Sequence, residues 1–431
     1  MKVKIKNLTL EKFCTYRNKK VPRSYKTNRF FRRLLKFVSS FDLKDVNFEC
    51  KYDAKYNNLK EPSIIIMNHC SFIDLEIAST IFYPKPINIV ATTDAYIGKN
   101  WLMKKIGCIP TKKYQVDVNL VGEILNCIKT LKTSVLIFPE AGYSIDGCNN
   151  VIPDSLGKLL KFLKVPVYFV KTSNAFLRQP LYNNLNKHKV NVRADVKTVF
   201  TKESLSKLTL TDINETLKTL FTFDYWKEQK EENVLINDTN LIEGINRILY
   251  KCPSCLAEHM IVKDGLLVCE NCGKKYKLNS NGSISAENAN TEFQSISSWT
   301  HWEREEVKKE LLKETYNTNI DVDVIAMPDT YNLFRLQECN FTLKHNEFGF
   351  ILFEKNTSFS MKILPLETYT VNVDLFWYQI GDIVSIGNKD CIFHCMPKDQ
   401  SFPVYKIKLA AEELYKLKKT TFLKKNPAEL D

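Results

Sequence analysis

Between Ser63 and Lys171 one pattern recurs, a short apolar run followed by a stretch of helical composition, and it restricts the chain to a few architectures. The runs Ser63–Met67, Ile87–Ala91, Ser134–Phe138 and Val165–Lys171 read as strands. A helical pattern runs through Ile77 to Phe82, and Val118–Thr130 and Asp154–Lys164 read as helices. Strands alternating with helices predict an α/β domain, which we close near Phe223.

The remainder of a 431-residue chain is too long to share one core, so two or three domains are expected. The N-terminus lacks the apolar stretch of a signal peptide, and the thirteen cysteines do not form an evenly spaced framework, which together predict a reducing, cytoplasmic setting. No window of about 18 residues is apolar and free of charge, so membrane contact is expected to be peripheral, at the cytoplasmic face.

Most of the net charge of +13 lies in residues 1–60, which hold 17 Lys and Arg against 5 Asp and Glu. From Asn28 to Phe41, Phe30, Phe31, Leu34, Leu35, Val38 and Phe41 recur at helical spacing, with Arg29, Arg32, Arg33 and Lys36 on the other side. Such a helix either packs its apolar side on the core or lies in a phospholipid surface. Residues 1–60 are read as a basic membrane-interface arm.

The segment Asn68-His69-Cys70-Ser71-Phe72-Ile73-Asp74 puts a histidine at a strand end and an aspartate in the first turn of the next helix. A carboxylate so placed can fix the imidazole tautomer and leave the other ring nitrogen as a base. With it come Gly107-Cys-Ile-Pro-Thr-Lys-Lys113, Phe138-Pro-Glu140-Ala-Gly142 and Val165-Pro-Val167, in that order. These blocks resemble those of the glycerol-3-phosphate and lysophosphatidate (1-acyl-sn-glycerol-3-phosphate) acyltransferases, over roughly residues 60–200.

The resemblance implies an αβα acyltransferase domain. It further implies that His69, oriented by Asp74, deprotonates a lysophospholipid hydroxyl for attack on the thioester of acyl-CoA or an acyl carrier protein. The acceptor it implies is 1-acylglycerol-3-phosphate, giving phosphatidate. Lys113 stands at the family's arginine, and with Glu140, Asn68, Gly107 and Gly142 it would line the acceptor site. Ala141 replaces the family's glycine and Tyr143 its frequent cation, so another lysolipid acceptor stays open.

Cys252-Pro-Ser-Cys255 and Cys269-Glu-Asn-Cys272, thirteen residues apart, have the spacing of a zinc ribbon with four thiolate ligands and a closed, structural site. The organisation read from the chain is the arm, an acyltransferase domain at 61–223, a helical connector at 224–250, the ribbon at 251–278 and a linker at 279–298. A β-rich domain with a closing helix at Tyr405–Lys418 fills 299–431, in an order like that of pleckstrin-homology and GRAM-like modules. The competing readings are a nucleic-acid-binding or regulatory zinc-ribbon protein, and a non-catalytic lipid-binding scaffold. The amphipathic character of the basic segment favours lipid over nucleic acid.

Overall fold

The computed structural model describes residues 3–113 and 118–425. Its first unit is a seven-stranded sheet in the order Glu49–Tyr52, Arg193–Phe200, Val167–Ser173, Ile64–Met67, Ser134–Ile137, Ile87–Thr92, Cys108–Thr111. The last five strands run parallel to one another, and Arg193–Phe200 turns antiparallel against Val167–Ser173. All four residues of Ile64–Met67 are fully buried, as both faces of a central parallel strand should be. Helices Ile73–Ile81 and Ser155–Leu163 lie where the helical pattern was read, and Val118–Asn126 ends in a π turn at Cys127–Leu131.

Parallel strands present their carboxyl ends on one edge of a sheet, where ligands bind in folds of this class. The loops after four neighbouring strands therefore set His69, Glu140, Asp94 and Lys113 along one edge.

Three strands of this sheet escaped the sequence pattern. Glu49–Tyr52 is an exposed edge strand assigned above to the arm, and Cys108–Thr111 carries Pro110, which an edge position tolerates. Arg193–Phe200 alternates buried and half-buried positions over most of its length. The arm is thus no separate unit: Glu49–Tyr52 joins the α/β sheet, while Lys6–Thr9 pairs in parallel with Phe334–Gln337 of the C-terminal sheet.

The helix Arg29–Asp45 is capped by Asn28, whose side chain accepts from the Phe30 N–H at 2.8 Å. Buried Arg178 fastens its other end through Asp42 and Asp45. Phe31, Leu35, Ser39 and Leu43 face the domain. Phe30, Phe37 and Phe41 are 65%, 61% and 63% exposed, and Leu34 and Val38 complete this outward apolar stripe. Arg32 and Lys36 turn inward, to the Thr27 carbonyl and the Tyr83 ring, leaving Arg29, Arg33 and Lys44 as the exposed cations. Among the described residues no helix is long and apolar enough to cross a membrane.

Residues 224–250 are not one helix. Tyr225–Glu231 is followed by 3-10 turns at Thr239–Ile242 and Ile245–Arg247, broken at Gly244, whose φ is +76° and whose α-carbon packs on the Tyr182 carbonyl. Leu241, Ile242, Ile245, Ile248 and Leu249 are nevertheless all buried. The cysteine module is an antiparallel meander, Met260–Lys263, Leu266–Cys269, Lys275–Leu278 and Ile284–Ala286. Its fourth strand lies in the stretch read as linker, and so does the start of helix Ile296–Leu312. The C-terminal sheet is ordered Ser360–Ile363, Gly349–Glu354, Phe341–Asn346, Thr318–Met327, Ile392–Pro397, Gly381–Gly387, Asn372–Trp377. Helix Val404–Lys425 closes it, and its central strand, Thr318–Met327, went unread in the sequence.

Candidate active site

The Ile64–Met67 strand delivers Asn68 and His69 to the sheet edge, and helix Ile73–Ile81 returns Asp74 beneath them. His69 Nδ1 lies 3.0 Å from Asp74 Oδ2. The same oxygen accepts the backbone N–H of Cys70 at 2.6 Å and of Ser71 at 3.1 Å. Two backbone N–H groups already donate to this oxygen, which makes it an acceptor toward the ring as well, so Nδ1 carries its hydrogen and Nε2 is left to take a proton. Asp74 is fully buried, whereas the His69 side chain is 20% exposed, so the imidazole meets solvent and its partner does not. The imidazole stacks on Phe138, with ring centres 4.0 Å apart, and meets the tilted ring of Tyr143 at 4.5 Å.

Glu140, expected to touch substrate, is instead fully buried. Its Oε1 accepts the His69 N–H at 2.9 Å and its Oε2 the Asn150 N–H at 3.0 Å, which pins the histidine loop to the loop after Ser134–Ile137. Burial pushes its carboxyl up to about 8, against the pull of those two amides. Asn68 is likewise framework: its amide nitrogen donates to the Thr172 carbonyl at 3.1 Å and to Tyr225 Oη at 2.7 Å, and its oxygen accepts the Thr172 N–H.

Gly107 also departs from the expected substrate contact. With φ of +79° and a β-carbon position 2.6 Å from Thr27 Cγ2, it allows the N-terminal segment to cross closely. Gly142 is half-buried and its carbonyl accepts from the Asn150 side chain at 3.3 Å. Cys70 is buried against Tyr225 Oη, 3.2 Å from its sulfur, and burial raises its thiol well above the ordinary range, so it packs rather than attacks.

Lys113 reaches across to the C-terminal sheet, where Nζ donates to Asn372 Oδ1 at 3.0 Å. Asp94 and Asp374 both feel its charge. The Tyr143 hydroxyl is raised by burial and then by the charges of Asp74, Asp374 and Asp94. Asp94, Tyr225, Asn372 and Asp374 were not singled out in the sequence. Only Asp94, just past a strand end, carries a local signal.

The four cysteines of the meander gather their sulfurs within 4.8 Å of one another, with Cys252 to Cys272 at 3.7 Å and Cys255 to Cys269 at 3.5 Å. A tetrahedron with metal–sulfur bonds of about 2.3 Å has edges of nearly that length. The donor set fits a soft or borderline divalent ion, with four protein ligands and no open position.

Residues 47–171 match the family described as Acyltransferase. The chain therefore carries an acyltransferase domain, and the match contains His69, Asp74, Lys113 and Glu140. Among solved structures it is similar to the 1-acyl-sn-glycerophosphate (LPA) acyltransferase PlsC from Thermotoga maritima. The identity is 14% over 44% of this chain and 77% of that one, with a TM-score of 0.35. No curated protein matches the chain by sequence.

Proposed function

We propose that the protein transfers a fatty acyl group from acyl-CoA or acyl carrier protein to the free hydroxyl of a lysophospholipid at a membrane surface. The observation that carries this reading is the His69–Asp74 pair, 3.0 Å apart with a buried carboxylate and a half-open imidazole, inside the matched acyltransferase domain. His69 Nε2 takes the hydroxyl proton as the oxygen attacks the thioester carbonyl. The carbon–sulfur bond then breaks and the departing thiolate takes the proton back from the imidazolium. Asp74 stabilises that cation, and Glu140 holds the loop that aims it. A base so positioned contributes on the order of 10²–10⁴-fold in rate.

The acceptor implied by the resemblance, 1-acylglycerol-3-phosphate, would need Lys113 to hold its phosphate. That lysine lacks the planar fork of the family's arginine and is engaged by Asn372, which weakens this choice within the lysophospholipid class. The outward stripe Phe30, Leu34, Phe37, Val38 and Phe41, joined by Trp101 at 64% exposure and flanked by Arg29, Arg33 and Lys44, suits an anionic phospholipid surface at the cytoplasmic face. Phe72, exposed beside the catalytic loop, would share that surface. Zinc in the four-cysteine site would tie the segment before the meander to the turn between its second and third strands and take no part in the chemistry.

Transfer of labelled acyl groups by purified protein, with both donors and a panel of lysolipids on vesicles, tests the reading. Product with at least one pair, abolished by His69→Ala, is expected. No product with any pair would favour the non-catalytic scaffold.

A further inference from the structure

Beside Lys113 lies a cavity of about 520 Å³ that the acyltransferase domain only half encloses. One wall holds Thr93, Asp94 and Lys113, and the other comes from the C-terminal sheet with Asn372, Ser385 and His394. The second wall is ordered by its own hydrogen bonds: Asn372 Nδ2 donates to Ser385 Oγ at 3.1 Å, and Ser385 Oγ lies 2.8 Å from His394 Nδ1. Thr93 Oγ1 and His394 Nε2 are buried without a hydrogen-bond partner among the described residues, so polar capacity remains on both walls.

The volume and the charges narrow what could fill it. Small-molecule sites run from about 300 to 1,000 Å³. A phosphate, with the bulk of roughly three waters at about 30 Å³ each, would leave most of the space empty. A phosphomonoester also needs surplus positive charge, yet Lys113 is already faced by two carboxylates. Burial would raise Asp94, but Lys113 and the Thr92 hydroxyl override it and hold the group ionised. Burial pushes Asp374 up to about 7, with Lys113 pulling against it. A lysine, a carboxylate, amide and hydroxyl groups that balance in charge offer donors and acceptors in mixture, which matches a polyol.

We propose that this cavity is the head-alcohol pocket of the acceptor site, completed by the C-terminal domain, and that it takes a hydroxyl-rich alcohol, glycerol or inositol, joined to the lysolipid through a phosphodiester. The inference rests on the acyl-transfer reading and adds to it the acceptor class and a role for the C-terminal sheet. Tyr143 links this region to the base: its ring centre lies 4.5 Å from that of His69, and the Asp94 and Asp374 charges act on its hydroxyl. The hydroxyl to be acylated then sits at His69 while the head alcohol extends past Tyr143. The exposed lysines 362 and 389 at the rim balance the single phosphodiester charge.

The test compares lysophosphatidylglycerol, lysophosphatidylinositol, lysophosphatidate and lysophosphatidylcholine as acceptors for the wild type, Asn372→Ala and Leu366→Trp. Leu366 is a 43% exposed lining residue, so the larger ring narrows the pocket without disturbing the core. Wild type should favour one polyol acceptor over lysophosphatidate by about tenfold or more in kcat/KM, and both variants should raise the KM for that acceptor about tenfold with a smaller change in kcat. Calorimetry on the full chain with glycerophosphoglycerol and glycerophosphoinositol should show binding of one of them, lost in both variants, and weaker binding of glycerol 3-phosphate. A preference for lysophosphatidate or lysophosphatidylcholine, variants with an unchanged KM, or no binding of either glycerophosphodiester would overturn the proposal. Transfer to no acceptor overturns the catalytic reading instead, and the calorimetry then decides the pocket by itself.

Discussion

Replacing Asp74 by asparagine isolates charge from geometry at the base. The one oxygen that accepts from His69 Nδ1, Cys70 N–H and Ser71 N–H can be reproduced by the asparagine carbonyl, because three donors converge there and an amide nitrogen would face all of them. The other carboxylate oxygen is buried with no hydrogen-bond partner among the described residues, so the new NH₂ group displaces no bond there. The loop and the imidazole tautomer should persist, and the lost quantity is the attraction between a carboxylate and the imidazolium formed during transfer. At 3.0 Å and an effective dielectric near 20 that attraction is about 5 kcal/mol, an upper bound of roughly 10⁴-fold in kcat. We expect a fall of about 10²–10⁴-fold, with little change in acceptor KM and a thermal midpoint close to wild type. Combined with His69→Ala it should cost little more than His69→Ala alone, since the two groups act as one unit. A well-folded Asp74→Asn protein that keeps more than about a tenth of wild-type turnover would refute the assignment of the pair.

Ala141 adopts φ of +54°, a left-handed conformation that costs an L-residue about 1–2 kcal/mol, so Ala141→Gly should raise stability in urea by about 0.5–1 kcal/mol after the greater chain entropy of glycine is subtracted. Metal analysis of protein purified without chelator should give one zinc per chain, lost on changing any of Cys252, Cys255, Cys269 or Cys272 to serine; markedly less zinc in the wild type would count against the ribbon. Glu140 is raised from about 4.5 to about 8, so its proton favours the folded state fully below pH 4.5 and that contribution is lost as the pH climbs toward 8. The stability of wild type relative to Glu140→Gln should therefore decline over that window, at up to about 1.4 kcal/mol per unit, and a flat difference would show an ionised carboxylate. Substituting glutamine for Arg29 and Arg33 should weaken sedimentation with anionic vesicles at low salt. Serine at Phe30, Phe37 and Phe41 should weaken it at high salt as well, and unchanged binding by both variants would place membrane attachment elsewhere.

The parts of this molecule that could be read from sequence are those whose determinants are local. A histidine at a strand end with a carboxylate five residues on is a short-range geometry, and so are two cysteine knuckles; the structure sets His69 beside Asp74 and gathers the four sulfurs. What the motif blocks could not convey is which way a side chain points. Glu140 and Asn68 occupy motif positions yet face inward, to backbone groups of neighbouring loops, because a catalytic loop at a sheet edge needs its amides satisfied before it can hold a base still. Lys113 was legible as a cation near the site, but its partner Asn372 lies 259 positions away, and no periodicity spans that distance. The edge strands Lys6–Thr9 and Glu49–Tyr52 failed for another reason. Half-solvated strands tolerate charge on both sides, and four residues are too few for an alternating pattern to stand out.

The same long-range contacts bear on how far the acyltransferase domain is a unit in its own right. The loop that carries Glu140 continues to Cys148, and it is gripped from beyond residue 223. Trp226 Nε1 donates to the Asp146 carbonyl at 2.7 Å, Tyr225 N–H to the Gly147 carbonyl at 2.9 Å, and Tyr405 Oη of the closing helix to Asp146 Oδ2 at 2.7 Å. That helix is in turn bound to Ile296–Leu312 by Arg304 against Glu412 and Glu413, and to the cysteine module by Lys406 against Glu258. Lys251, next to Cys252, donates its backbone N–H to buried Glu303 on helix Ile296–Leu312. Buried and half-buried polar contacts thus run from the first cysteine knuckle through two helices to the loop that holds the His69 amide. The cysteine module lies far from the histidine in sequence, and four thiolates would leave a metal no open position, so what these contacts can contribute is rigidity. Through these contacts the cysteine module braces the closing helix, the helix donates to Asp146, and the 139–150 loop presents Glu140 to the amide of His69.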